Sequence, residues 1–214
     1  MDKLIELAEI FIKERLDTDI SDGHDCEHTF RVVKHALDIA NEIPQANRQI
    51  VHLAAILHDV ERPAESLSQG KIDHAAAGAE TAYRFLVEQH APENIAQRVA
   101  DCIRTHRFRS SGTMPETIEA KILYDADKLD SLGAVGIARA FLFAGRLGAK
   151  VHNSADDALK SESYSMNDTA YREYLVKLSK IPGKMFTAPA KIRANELKIF
   201  MDNFFNQLNC EFFV

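Results

Sequence analysis

The chain has 214 residues, 46% of them hydrophobic and 27% charged, proportions that suit a globular protein with a buried core and exclude a disordered one. Its formal net charge of −6 offers no basic footprint for a phosphate backbone, so no stable nucleic-acid complex is expected. No apolar run approaches the roughly 18 residues of a membrane span, and three scattered cysteines, Cys26, Cys102 and Cys210, support neither a disulfide framework nor a zinc knuckle. Reduced thiols, with an N-terminus that lacks a signal-peptide apolar stretch, lead to the expectation of a cytoplasmic protein.

In chain order, helical periodicity dominates. Leu4, Leu7, Phe11 and Ile12 share one face of a first helix, and a polar stretch follows from Asp17 to Asp25. Phe30, Val33, Leu37 and Ala40 mark a second helix, closed by Pro44. Ile50, Leu53, Ala54 and Leu57 mark a third that ends at His58-Asp59, before a turn at Pro63. Asp73 caps a fourth, from His74 to about Gln89, whose small residues Ala75 to Ala79 allow another backbone close. Pro92 opens a fifth with Ile95, Val99 and Ile103. Thr113 and Glu116 read as a capping box for a sixth, with the stripe Ile118, Ile122, Ala126 and Leu129.

Residues 131–148 read as a helix despite Gly133 and Gly136, and 152–168 as a polar loop. Tyr171, Tyr174, Leu175 and Leu178 mark another helix, broken at Ile181-Pro182-Gly183. Thr187 and Pro189 start a last one with the stripe Ile192, Leu197, Phe200, Phe204 and Leu208. No strand alternation and no internal repeat is found, so the fold class is all-α.

Several polar residues fit this pattern awkwardly. His58 and Asp59 end a strongly apolar helix. Taken alone, the pair is a histidine favoured by the helix dipole followed by a turn-forming aspartate. His28 begins a helix and on its own is an ordinary polar first-turn residue. Asp125, Asp127 and Asp130 put three carboxylates within six residues behind an apolar stripe. Such charges repel, and a cation would relieve the repulsion.

The ordered set of His28, then His58-Asp59 after an apolar helix, then Asp127 in Ala126-Asp127-Lys128-Leu129-Asp130 resembles the HD superfamily of metal-dependent phosphohydrolases, over His28 to about Phe141. The segment with Lys184, Met185 and Phe186 also resembles the C-terminal part of small bacterial HD hydrolases. The resemblance implies one HD-type helical bundle, core about 20–145, with a C-terminal helical extension over about 165–214. It implies His28, His58, Asp59 and Asp127 as ligands of a divalent ion (Mn, Ni, Co, Fe, Mg or Zn), a mixed nitrogen and oxygen set that suits such ions. It also implies that His74 and His106 hold a second ion with Asp59; the alternatives are phosphate contact, proton transfer, or surface positions at helix ends.

The reaction implied is hydrolysis of a phosphoester or phosphoanhydride of a small phosphorylated metabolite, with nucleotides the leading class. Asp59, Glu61, His74 and His106 are the candidate catalytic residues, and Arg62, Arg107 and Lys128 the candidate substrate contacts. Arg104 and Arg109 cluster with Arg107 around His106, and a solvated helix end explains them equally well. Asp125 and Asp130 are read as orienting neighbours, and His24 and Asp25 as loop or supporting groups. His35, His52 and His90 are read as surface residues, and Ser154 to Asp168 as a candidate lid. Two other functions fit the pattern: an HD-fold oxygenase with two irons, and a regulatory HD module with little activity.

Overall fold

The computed structural model describes residues 2–16, 26–107 and 113–213; His24, Asp25 and Arg109 lie outside them. The described residues are helical without strands, and none of their helices is long and apolar enough to cross a membrane. The chain divides into two compact units, Met1–Asp127 and Lys128–Val214.

The first unit contains α1 (Asp2–Leu16), α2 (Cys26–Asn41), α3 (Arg48–Leu57), the short α4 (Arg62–Leu67), α5 (His74–Glu88) and α6 (Glu93–Thr105), and most of α7 (Ile118–Leu129). Helix α3 is its centre: Ile50, Leu53, Ala54 and Leu57 are fully buried, and α1, α2 and α6 pack around it. Asn47 caps α3 by accepting from Gln49 N and Ile50 N at 3.1 and 3.2 Å. The buried Glu119 of α7 accepts from Asn47 N at 2.9 Å and from Arg98 at 3.0 Å, which fixes the start of α3 to α6 and α7.

Asp73 caps α5 as the sequence predicts, accepting from Ala75 N at 2.9 Å. The small-residue run then lets α5 lie close to the turn after α3. A Cβ on Gly78 would sit 3.5 Å from the His58 carbonyl oxygen.

Helix α7 starts later than the Thr113 box predicts. Pro115 disfavours helical backbone at Met114, and Thr117 takes over, accepting from Ala120 N at 3.2 Å. His35 and His52 are half-buried and only His90 of the three histidines read as surface residues is exposed.

The second unit contains α8 (Gly133–Arg146), α9 (Ala155–Lys160), α10 (Ala170–Val176), a 3-10 turn (Leu178–Lys184) and α11 (Ala188–Phe212). The segment predicted as a loop thus contains a short helix, capped by Ser154 accepting from Asp157 N at 3.1 Å. The rest of that segment is tied within itself and to its flanks: Tyr164 N donates to Asp168 at 2.6 Å, and Lys150 N to the Met166 carbonyl at 2.8 Å.

The buried face of α11 also differs from the predicted stripe. Ala190, Ala194, Met201 and Phe205 are buried, whereas Ile192 and Phe200 are exposed. Apolar residues surround this helix, and packing selects the face whose small alanines admit α8 and the 3-10 turn closely. Phe205 stacks on Tyr174 at 4.6 Å between ring centroids.

Two glycines of α8 have specific reasons. Gly133 has φ +67, the left-handed region that glycine enters without strain. A Cβ on Gly136 would overlap the Ser131 carbonyl. Helix propensity alone makes Gly→Ala favourable by roughly 1 kcal/mol inside a helix. Here overlap wins: Gly136→Ala is expected to lower stability by about 1–3 kcal/mol. A urea midpoint that stays or rises in this variant contradicts the packing described.

Candidate metal centre

Four histidines and two aspartates from five helices meet inside the first unit. His28 is the third residue of α2, and Asp127 lies near the end of α7. His58 and Asp59 directly follow α3, His74 is the first residue of α5, and His106 directly follows α6. His28, His58, Asp59, His74 and His106 are all buried, and Asp127 is half-buried.

The Asp59 carboxylate organises the group. Its Oδ2 faces His28 Nε2 at 3.7 Å and His58 Nε2 at 3.6 Å. Its Oδ1 faces His74 Nε2 at 3.3 Å and His106 Nε2 at 3.6 Å. Asp127 Oδ1 lies 3.5 Å from His28 Nε2. Within each pair the ring nitrogens are close, 3.4 Å for His28 and His58 and 3.2 Å for His74 and His106.

Most of these separations are long for hydrogen bonds of nitrogen to oxygen. They match two donors on one ion, because ligands about 2.0–2.2 Å from a cation are about 3–3.5 Å from each other. Two triads therefore have the spacing to hold an ion: His28, His58 and Asp59, and Asp59, His74 and His106, with Asp127 beside the first.

Local structure decides which nitrogen faces inward. The last carbonyls of a helix lack intrahelical partners. His58 uses Nδ1 on the Ala55 carbonyl at 2.8 Å, and His106 uses Nδ1 on the Ile103 carbonyl at 2.6 Å. Each ring thus donates from Nδ1 and turns Nε2 toward Asp59. Burial pushes the His58 pKa down to about 4, against a smaller upward pull from Asp59. His58 is therefore the neutral imidazole that coordination requires.

His74 is held by Glu65, which the sequence reading passed over. Glu65 Oε2 lies 2.8 Å from His74 Nδ1. Arg62 donates to the same carboxylate at 2.6 Å, and Arg107 donates to its other oxygen. Burial pushes the Glu65 pKa up, but the Arg107 hydrogen bond, His74 and Arg62 outweigh it and leave the carboxyl below its ordinary value. Arg62 and Arg107, expected as substrate contacts, are thus the partners of Glu65. The i,i+3 spacing of Arg62 and Glu65 on α4 is the one signal in the sequence that could have suggested it.

Other candidate residues also have protein partners. The Glu61 carboxylate, expected as a catalytic group, accepts from Arg15 at 2.6 Å and Thr81 at 2.9 Å, tying α1 to α5 at the start of α4. Arg104 pairs with Asp101 and Glu80 on the surface. Lys128 opens the second unit, where Asp130 is buried and accepts from Arg139 at 2.6 Å.

The HD domain family matches residues 26–132. The chain is 36% identical over 194 residues to YpgQ of Bacillus subtilis, covering 89% of this chain and 85% of that protein. The crystal structure of YpgQ in complex with ADP superposes with a TM-score of 0.74 and 29% identity over 97% of each chain. An HD-superfamily hydrolase from Bacillus thuringiensis superposes with a TM-score of 0.76 and 30% identity over 99% of this chain and 97% of the other. A more distant relative is the dihydroneopterin 2',3'-cyclic phosphate phosphodiesterase of Methanocaldococcus jannaschii, 29% identical over 49% of this chain and 45% of that protein. With these likenesses beside a buried set of paired histidines and aspartates, the chain belongs to the HD-domain hydrolase family.

Proposed function

We propose that the chain is a metal-dependent phosphohydrolase with a two-ion centre, acting on a small phosphorylated metabolite of the nucleotide class. The carrying observation is the division of the Asp59 carboxylate, with each oxygen facing its own pair of histidine nitrogens. His28, His58, Asp59 and Asp127 would hold one ion, and Asp59, His74 and His106 the other. Divalent ions in such a site supply Lewis acidity at a phosphoryl oxygen and lower the pKa of water. The chain's own part is to bury the donors, keep His58 neutral, and hold Asp59 between the two positions. The nucleotide class draws on the ADP complex of YpgQ and on the cyclic phosphate substrate of the Methanocaldococcus jannaschii relative.

The same donor set also suits two irons in an oxygenase. That reading predicts iron near two per chain with oxygen consumption, whereas the hydrolytic one predicts phosphate or pyrophosphate release without it.

Calorimetric titration of chelator-treated protein with Mn(II) is expected to show two sites per chain. His74→Ala should lose one, and Asp59→Ala should weaken both. One site in the unaltered protein contradicts the two-ion centre. A nucleotide and phosphoester panel should yield phosphate or pyrophosphate, with turnover down by more than about 100-fold in Asp59→Ala at unchanged helicity. Undiminished turnover in that variant removes the proposed site. Glu61→Gln should retain both ions and lower stability by about 1 kcal/mol, since it weakens a tie between helices. Loss of an ion in Glu61→Gln would return that residue to the centre.

A further inference from the structure

The histidines around Asp59 are not held alike. His58 and His106 have Nδ1 on main-chain carbonyls at 2.8 and 2.6 Å, contacts that side-chain substitution cannot remove. His74 opens α5 and so has no preceding helical turn to offer such a carbonyl. Its Nδ1 faces three side-chain groups: Glu65 Oε2 at 2.8 Å, Arg107 Nη1 at 3.1 Å and Arg62 Nη1 at 3.4 Å.

These neighbours make opposite demands. An ionised carboxylate only accepts, so Glu65 requires the hydrogen on Nδ1 and leaves the lone pair on Nε2. A guanidinium only donates, so Arg62 or Arg107 bonded to Nδ1 would require the lone pair there and the hydrogen on Nε2. Nε2 is the atom 3.3 Å from Asp59 Oδ1 and 3.2 Å from His106 Nε2. An Nε2–H cannot ligate a cation. In the structure Glu65 is the nearest of the three, and it also engages both arginines, through Oε2 for Arg62 and Oε1 for Arg107.

We propose that Glu65 is the positioning residue that selects the His74 tautomer against Arg62 and Arg107, and thereby controls whether the Asp59, His74 and His106 position can take an ion. Glu65 itself touches neither ion position. It acts by holding His74 and by keeping two guanidinium groups occupied. Its removal has two effects in one direction: the acceptor at Nδ1 is lost, and two donors are released beside it. The effect on ion binding rests on the two-ion reading above; the tautomer does not.

The test uses metal-free, full-length protein with nitrogen-15-labelled histidine. Long-range nitrogen–proton correlation spectra distinguish the two imidazole tautomers, and His74→Gln identifies the signal. At a pH high enough for the ring to be neutral, the unaltered protein is expected to hold His74 as Nδ1–H, and Glu65→Ala to move it to Nε2–H. Glu65→Gln, which retains an acceptor oxygen, should keep Nδ1–H. In Mn(II) titrations Glu65→Ala should weaken one of the two ions by about 10–100-fold and leave the other unchanged, with Glu65→Gln between it and the unaltered protein.

An Nε2–H form of His74 in the unaltered protein overturns the proposal with no variant needed, so it stays falsifiable even where Glu65→Ala does not fold. Lower stability in Glu65→Ala with the tautomer and both affinities unchanged also overturns it, because that is the signature of a purely structural ion pair. A single Mn(II) site in the unaltered protein, together with the expected tautomer change, refutes the two-ion reading and upholds the control of His74 by Glu65.

Discussion

Everything at this centre depends on a carboxylate kept inside the protein. Asp59 is 2% exposed. Burying an ionised carboxylate is costly unless opposite charge or several donors compensate it. Imidazole lone pairs turned toward it would not supply that compensation, whereas a cation shared between carboxylate and ring nitrogens would. The fold reflects this requirement. Helix α3, fully apolar at Ile50, Leu53, Ala54 and Leu57, carries the doublet to the interior, and α2, α5, α6 and α7 each bring one further donor to it. The apolar core therefore does more than stabilise the unit. It sets the depth at which Asp59 must sit, and so the need for the histidines around it.

The helices were legible because their stripes repeat with the helical period, and the cap Asp73 lies within three residues of the N–H groups it accepts from. Each histidine taken alone read as an ordinary helix-end residue; it was their order with Asp59 and Asp127 that carried the family resemblance. Glu65 was not. It lies on a six-residue helix too short to show a pattern, and its partners are 9 and 42 residues away at His74 and Arg107. A charged residue announces that it needs a partner without announcing which one. For the same reason the sequence does not show that Arg62 and Arg107 meet Glu65, or that Glu61 meets Arg15 and Thr81. On α11 the difficulty was of another kind: with apolar residues on every side, period alone cannot say that Ala194 and Met201, rather than Ile192 and Phe200, face inward.

The two histidine pairs have unequal support. In the Asp59, His74 and His106 group, one ring is held by the main chain and the other by a carboxylate shared with two arginines. A main-chain contact persists as long as α6 does. A side-chain contact depends on the charge balance around it, where Glu65 carries one negative charge against the two positive charges of Arg62 and Arg107. The orientation of His74 is therefore more sensitive to substitution nearby than that of His106.

His58 shows how magnitude decides between readings that the sequence left open. A helix C-terminus favours protonated histidine by roughly 0.3–1 kcal/mol, and by about 2 kcal/mol when partly buried. That was the basis for reading the residue as an ordinary end-of-helix histidine. Burial acts in the opposite direction. Lowering the pKa from 6.5 to about 4 corresponds to about 3 kcal/mol against the charged form, even with Asp59 pulling upward. Burial exceeds the dipole, so the ring is neutral near pH 7. The Ala55 carbonyl then takes the Nδ1 hydrogen, and the remaining lone pair has one direction left, toward Asp59. The same helix end that could have favoured an imidazolium thus delivers a neutral ring with a free lone pair, and the apolar residues of α3 are the cause.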